Sequence, residues 1–224
     1  IPGTEREVRV FHVDEKYVWV WVGANVYTSG GIARLDKQTG QWRAWGTEYF
    51  AASGDTSRAD PVYGSAADGE RAVIVEDNVL YSYDAAKDTW RPIRTYDQAG
   101  PLTHEFALKG NMLYFMRGTA KKMDIDTGEE SPLFSPEQLP GPNGDAFKNL
   151  EGLEFDMVHD RFILHPAYTV SLDQGTFLAV VPLNQGPIQT FPTSALAKPF
   201  GLVDVRMLDA AGTRVLLGGS ASVS

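Results

Sequence analysis

A turn of the form Asp-x-x-Thr-Gly, entered from a β-rich stretch and left through a short aromatic one, recurs along this chain and narrows its fold more than any other feature. It reads Leu35-Asp36-Lys37-Gln38-Thr39-Gly40-Gln41-Trp42, then Tyr83-Asp84-Ala85-Ala86-Lys87-Asp88-Thr89-Trp90, then Met123-Asp124-Ile125-Asp126-Thr127-Gly128, and more loosely Leu183-Asn184-Gln185-Gly186-Pro187. The Asp or Asn positions lie 48, 40 and 60 residues apart, near the roughly 40 to 50 residues of one four-stranded repeat unit. Within each turn a short acceptor side chain can cap backbone N–H groups while Gly supplies positive φ, so these Asp and Thr residues read as local structure.

Alternating runs rich in Val, Ile, Tyr, Phe and Trp fill the spaces between the turns, as strands bounded by Gly, Asn and Asp should. Glu7 to His12, Tyr17 to Val22, Ile32 to Asp36 and Gln41 to Trp45 form the first expected meander, with Trp19 and Trp21 sharing a face because side chains repeat every second residue. The second begins with a weak strand in Pro61 to Ser65 and continues through Arg71 to Glu76, Val79 to Asp84 and Thr89 to Arg94. Thr103 to Leu108, Met112 to Met116, Ala120 to Asp124 and Glu130 to Phe134 make the third, and Gly152 to Val158, Arg161 to Leu164, Thr176 to Val181 and Ile188 to Phe191 the fourth. Leu202 to Leu208 and Thr213 to Leu217 open a fifth. The expected architecture is all-β: a single β-propeller domain over 1–224, with four-stranded antiparallel blades at 6–46, 60–96, 102–135 and 150–192 and an incomplete one at 200–224. About five blades or a partial ring follow, and an unfinished blade has an edge that a second chain, a further segment or the N-terminal residues should complete.

At these turns the chain resembles bacterial β-propeller repeats of the YncE-like, two-component-regulator and quinoprotein-like kind, in which a strand ending in Asp turns through Thr-Gly into an outer strand. Gly31 to Trp42 is the nearest copy. The resemblance implies the fold and leaves the ligand open.

The formal charge of −9, from 29 acidic and 20 basic residues, works against a phosphate backbone as partner, and nucleic acid is not expected. No run approaches the ~18 apolar residues of a membrane helix. The absence of cysteine removes disulfides, thiolate zinc sites and cysteine nucleophiles. The chain begins Ile1-Pro2-Gly3 and carries no Asn-x-Ser/Thr sequon; together these favour a bacterial protein that has lost a leader, placed in the periplasm, at the cell surface or outside the cell.

In a propeller the first strand of each blade lines the central channel, where ligands tend to sit. Arg9, Glu154, Asp156, Asp204 and Arg206 occupy such strands and are the candidate ligand-binding residues, with Glu154 and Asp156 on one face and Asp204 and Arg206 on another. No cofactor is expected, although so acidic a lining could hold Ca²⁺. His104 beside Glu105 is the weak catalytic candidate, because imidazole titrates near neutrality. His12, His104, His159 and His165 lack metal-ligand spacing, and Gly-x-Ser-x-Gly, P-loop and Gly-x-Gly-x-x-Gly elements are absent. The buried area that large rings provide assigns Trp19, Trp21, Trp42, Trp45 and Trp90 to packing between blades, and the Pro-rich stretch Ser135 to Asn149 is the longest irregular insertion. The sequence reading is an exported propeller that binds a protein or polymer partner; its alternative is a propeller hydrolase or lyase with an acidic, metal-assisted site at the channel mouth.

Overall fold

The structure, a computed structural model, describes residues 7–25, 28–46, 64–76, 79–96, 106–117, 119–134, 150–166, 177–184, 186–192, 202–211 and 214–221. His104, Glu105, the insertion 135–149 and most of 46–69 lie outside them.

Among the described residues, four antiparallel sheets of four strands and one two-stranded hairpin follow one another along the chain. The first sheet runs β1 (Glu7–Val13), β2 (Tyr17–Asn25), β3 (Thr28–Asp36), β4 (Trp42–Trp45), each strand paired with the next. The second runs β5 (Gly64–Asp68), β6 (Arg71–Glu76), β7 (Val79–Asp84), β8 (Thr89–Thr95), and the third β9 (Phe106–Lys109), β10 (Met112–Arg117), β11 (Thr119–Asp124), β12 (Glu130–Pro132). The fourth comprises β13 (Leu150–Asp156), β14 (Arg161–Pro166), β15 (Phe177–Pro182) and β16 (Gln189–Pro192), and the hairpin is β17 (Leu202–Ala211) with β18 (Arg214–Ala221). Two compact units divide the chain, Ile1–Phe115 with Lys122–Glu130, and Met116–Lys121 with Ser131–Ser224. Within the first unit β1 neighbours β5 and β5 neighbours β9; within the second β13 neighbours β17. First strands of successive meanders thus stand side by side, which is the blade arrangement of a β-propeller.

The repeated turns fold as their composition requires. Asp36 Oδ1 accepts the backbone N–H of Gln38 at 2.9 Å and Thr39 at 3.0 Å. Asp84 Oδ1 does the same for Ala86 and Lys87 at 3.1 and 3.3 Å, and Asp124 Oδ1 for Asp126 and Thr127 at 2.8 and 3.0 Å. Thr39 and Thr127 Oγ1 then accept from Gln41 and Glu129. The closing residue has positive φ in each: 69° at Gly40, 75° at Gly128 and 52° at Asp88, which occupies the glycine position of the second copy.

Sheet packing differs from the sequence reading at the weak first strand of the second blade. That strand is Gly64–Asp68, later than expected, because Gly, Ser and Ala carry little β-propensity and the strand exists through its neighbours. A Cβ on Gly64 would collide with the Phe106 ring, so the backbone of β5 is where the third blade comes closest. The third-blade strand begins at Phe106 among the described residues, and the last strand of the fourth spans Gln189–Pro192.

Candidate functional site

Strand β2 sets Tyr17, Trp19 and Trp21 on one face, and the pairing of Trp19 with Arg34 and of Ile32 with Trp45 extends that face across β3 and β4. Opposite it the second blade supplies Ala67, Ala72, Ile74, Tyr81, Tyr83 and Trp90, and the two faces form one buried cluster. Trp19 is stacked on Trp45 with centroids 5.8 Å apart, and Tyr83 meets Trp45 edge-on at 4.8 Å. Each such pair adds about 0.5–1.5 kcal/mol beyond area burial.

One cation sits among these rings. The Arg34 Cζ lies 4.5 Å from the Tyr17 ring centre, 5.2 Å from Trp19, 5.5 Å from Tyr83 and 6.0 Å from Trp45. At the solvent edge of this cage Tyr17 Oη donates to Glu70 Oε1 at 2.5 Å, and Lys16 Nζ reaches the same oxygen at 3.1 Å. The hydrogen bonds from Tyr17 and then Lys16 hold the Glu70 carboxyl below its ordinary pKa, while burial and the Glu70 hydrogen bond push the Tyr17 phenol up. Asp88 accepts from the Tyr83 hydroxyl at 2.8 Å and pairs with Arg43.

Beside the cage Asp14 ties the two blades. Its Oδ1 accepts from the backbone of Lys16 and Tyr17, both at 2.7 Å, and its Oδ2 from Gly69 N at 3.1 Å and from His12 Nε2 at 3.1 Å. Burial alone would raise the Asp14 carboxyl; the Tyr17 and Lys16 amides outweigh it and keep the pKa low. Asp68 repeats the tie one blade later, its Oδ2 accepting from Gly110 N at 2.6 Å.

The residues proposed from sequence are distributed between the two units. Arg9, on β1 opposite Trp21, is exposed, with its guanidinium 5.9 Å from the Trp21 ring. Asp156 is buried, and its carboxylate closes the β13–β14 hairpin: it accepts from His159 Nδ1 at 2.8 Å and from Arg161 Nε and Nη2 at 2.9 and 2.8 Å. Burial would raise its pKa, but His159 and Arg161 bring it below the ordinary carboxylate value. Glu154, Asp204 and Arg206 pair by backbone with Ile163, Ser220 and Gly218. Their strands, β13 and β17, neighbour each other. Among the described residues no group of three or more His, Asp or Glu side chains is placed to hold a metal, and no helix is long and apolar enough to cross a membrane.

Four of the five tryptophans pack as expected; Trp42 is 46% exposed and lies on the other face of its sheet. There, rows of apolar residues cross the blade: Val13, Val18, Leu35 and Trp42 in one, Val10, Val20, Ala33 and Ala44 in the next, and Val8 with Val22 beyond. Val20, Val22 and Ala33 are buried, whereas Val8, Val10 and Val13 remain 49–58% exposed. Sequence reasoning passed over this face because attention to the tryptophans hides the second, equally apolar alternation of β1 and β2. It also passed over Arg34, whose signal was a lone cation between Ile32 and Leu35.

No family model and no curated protein matches the sequence. Solved structures with similar folds include the extracellular domain of a one-component system from B. thetaiotaomicron, 14% identical, with a TM-score of 0.45 over 83% of this chain and 22% of that one. YCF48 bound to D1 peptide is 10% identical with a TM-score of 0.47, over 86% and 58% of the two chains. Kuenenia stuttgartiensis hydrazine synthase is 11% identical with a TM-score of 0.46, over 78% and 46%. The chain therefore spans 22% to 58% of these proteins' lengths, and its blade architecture rests on its own sheets.

Proposed function

We propose that this chain is a propeller binding module, exported from a bacterium, whose first blade receives an apolar β-face of a partner polypeptide that continues the stack of sheets. The observation that carries the reading is the valine face of β1 and β2, with Val8, Val10 and Val13 about half exposed beside buried Val20 and Val22. Exposed apolar patches of this continuity mark interaction surfaces. The occupant is inferred from the rest of the first unit, where the second blade covers the opposite face of the first and the third covers the second. A flat, β-branched face is matched by another of its kind, and a β-rich partner fits it better than a charged polymer does. The carboxylates of Asp14 and Asp156 serve the scaffold, being engaged by backbone and cationic donors, which supports a binding role over an acidic catalytic one.

A photo-reactive residue at position 10, introduced into the full-length protein in its own cells, tests this. One discrete cross-linked protein is expected from position 10 and none from position 87, whose lysine is 76% exposed away from that face; the identified partner should then bind wild type but not Val10→Lys in purified form. Identical products from both positions, or none from position 10, would refute the assignment.

A further inference from the structure

The aromatic cage of the first seam contains donors with nothing to donate to. Arg34 Nη1 and Trp45 Nε1 are both buried and without a hydrogen-bond partner, and Trp45 as a whole is 1% exposed. A guanidinium stacked on ring faces keeps its N–H groups in its own plane, so the rings satisfy its charge and not its donors. Leaving such a donor unsatisfied is destabilising, and more so when the group is charged.

The charge around the cage is equally one-sided. Glu70 is already shared by Lys16 and Tyr17, and Asp88 by Arg43 and Tyr83. Glu70 also feels the Arg34 charge, yet neither carboxylate takes a hydrogen bond from Arg34 Nη1. In a chain whose formal charge is −9, a cation enclosed by aromatics is unlike its surroundings. Desolvated cations are retained where an anion completes them.

We infer that this seam binds a small, flat carboxylate, which accepts from Arg34 Nη1 and Trp45 Nε1 and lies against the Tyr17, Trp19 and Tyr83 rings. The guanidinium carbon and the Trp45 ring centre are 6.0 Å apart, which sets the two donor-bearing groups side by side. Arg34 is only partly buried, and the ligand enters along its side chain from the edge where Tyr17 and Glu70 meet. A tetrahedral anion lacks the flatness that stacked rings select. The site is separate from the valine face, on the opposite side of the same sheet, and does not depend on the partner proposed above.

Tryptophan fluorescence and the melting temperature of the full chain, titrated with sodium acetate against sodium chloride at matched ionic strength, read this out directly. Acetate should produce a saturable fluorescence change and a rise in melting temperature. Trp45→Phe, which keeps a ring and removes one donor, should weaken acetate about tenfold, and Arg34→Gln should abolish the response. Should Arg34→Gln fail to fold, Trp45→Phe alone decides. No saturable change in wild type, an unaltered acetate affinity in Trp45→Phe, or equal binding of inorganic phosphate would each overturn the assignment of a carboxylate site.

Discussion

The two seams of the first unit join blades with the same backbone latch and fill the space between them with opposite chemistry. Between the first and second blades lie Trp19, Trp45, Tyr83, Trp90 and Tyr17. Between the second and third lie Val73, Val75, Leu80, Leu108, Leu113, Met123 and Ile125, with the Phe106–Phe115 stack at 5.8 Å and Tyr96, edge-on to Phe115 and donating to Glu130, as the aromatic part. Rings bring indole and phenol protons inside with them, and the first seam places several of these: Trp19 Nε1 donates to Gly69 O at 3.0 Å, Tyr17 to Glu70 and Tyr83 to Asp88, while Trp45 Nε1 has no partner. Aliphatic side chains make no such demand. The second seam therefore keeps its polar ties at the rim, where Arg91 Nη2 donates to Ile125 O at 2.7 Å and Arg71 pairs with Asp126 at 3.1 Å. A seam made of rings is specific because it is polar inside; one made of aliphatic residues is tolerant because its polarity is peripheral.

The sharpest way to break this contrast is to remove one filler from each seam. Trp19→Ala should cost about 3–5 kcal/mol in chemical denaturation, and Leu113→Ala about 2–4 kcal/mol, with the difference arising from the carbonyl and rings that Trp19 leaves behind. Equal losses would mean that the polar interior of the first seam adds nothing to what its rings contribute. Next in size is close approach: Gly64→Ala drives a methyl group into the Phe106 ring and should lower the unfolding midpoint by an amount typical of overpacking, about 1–3 kcal/mol. Removing Phe106 as well, in Gly64→Ala with Phe106→Ala, should make the glycine change nearly silent.

The latches themselves come third. Asp14→Ala deprives three backbone amides and His12 of their acceptor and should cost about 1–3 kcal/mol, whereas Asp68→Ala, which frees Gly110 N, should cost about 0.5–1.5 kcal/mol. Lowering the pH probes the same groups in wild type. Asp14, Asp36, Asp84, Asp156 and Glu70 all have folded-state pKa values below their ordinary ones. Their contribution is complete above the unfolded carboxylate values near ~4 and disappears as pH falls through the folded values. Melting temperature should hold from neutrality to about pH 5 and fall below about pH 4. The smallest effect belongs to the rim: Arg71→Ala should cost about 0.2–1 kcal/mol and vanish in high salt. A larger, salt-independent loss would show that the second seam relies on its rim after all.

Much of the fold is legible in the sequence because its signals are local. Asp36, Asp84 and Asp124 each satisfy amides two and three residues on, so their role follows from spacing alone, and the alternation of Tyr17, Trp19 and Trp21 fixes which face they share. What escapes is what depends on the neighbouring blade. Gly64–Asp68 is a strand through pairing and packing rather than propensity. The partnership of Tyr17 with Glu70, 53 residues away, has no local trace. Asp156 was legible as a first-strand residue, but its engagement by His159 and Arg161 appears only once the hairpin closes.

The self-capped corners have a consequence for how such a chain can diversify. At Asp36 the carboxylate, the threonine hydroxyl and the positive-φ glycine close the bend among themselves, and the side chains of Lys37 and Gln38 between them are exposed. Lys37 also donates its ammonium to Asp14 O at 2.8 Å, so Gln38 is the free letter: it can be rewritten or used to graft a label, a charge or a recognition peptide while the grammar of the surrounding sheet stays the same.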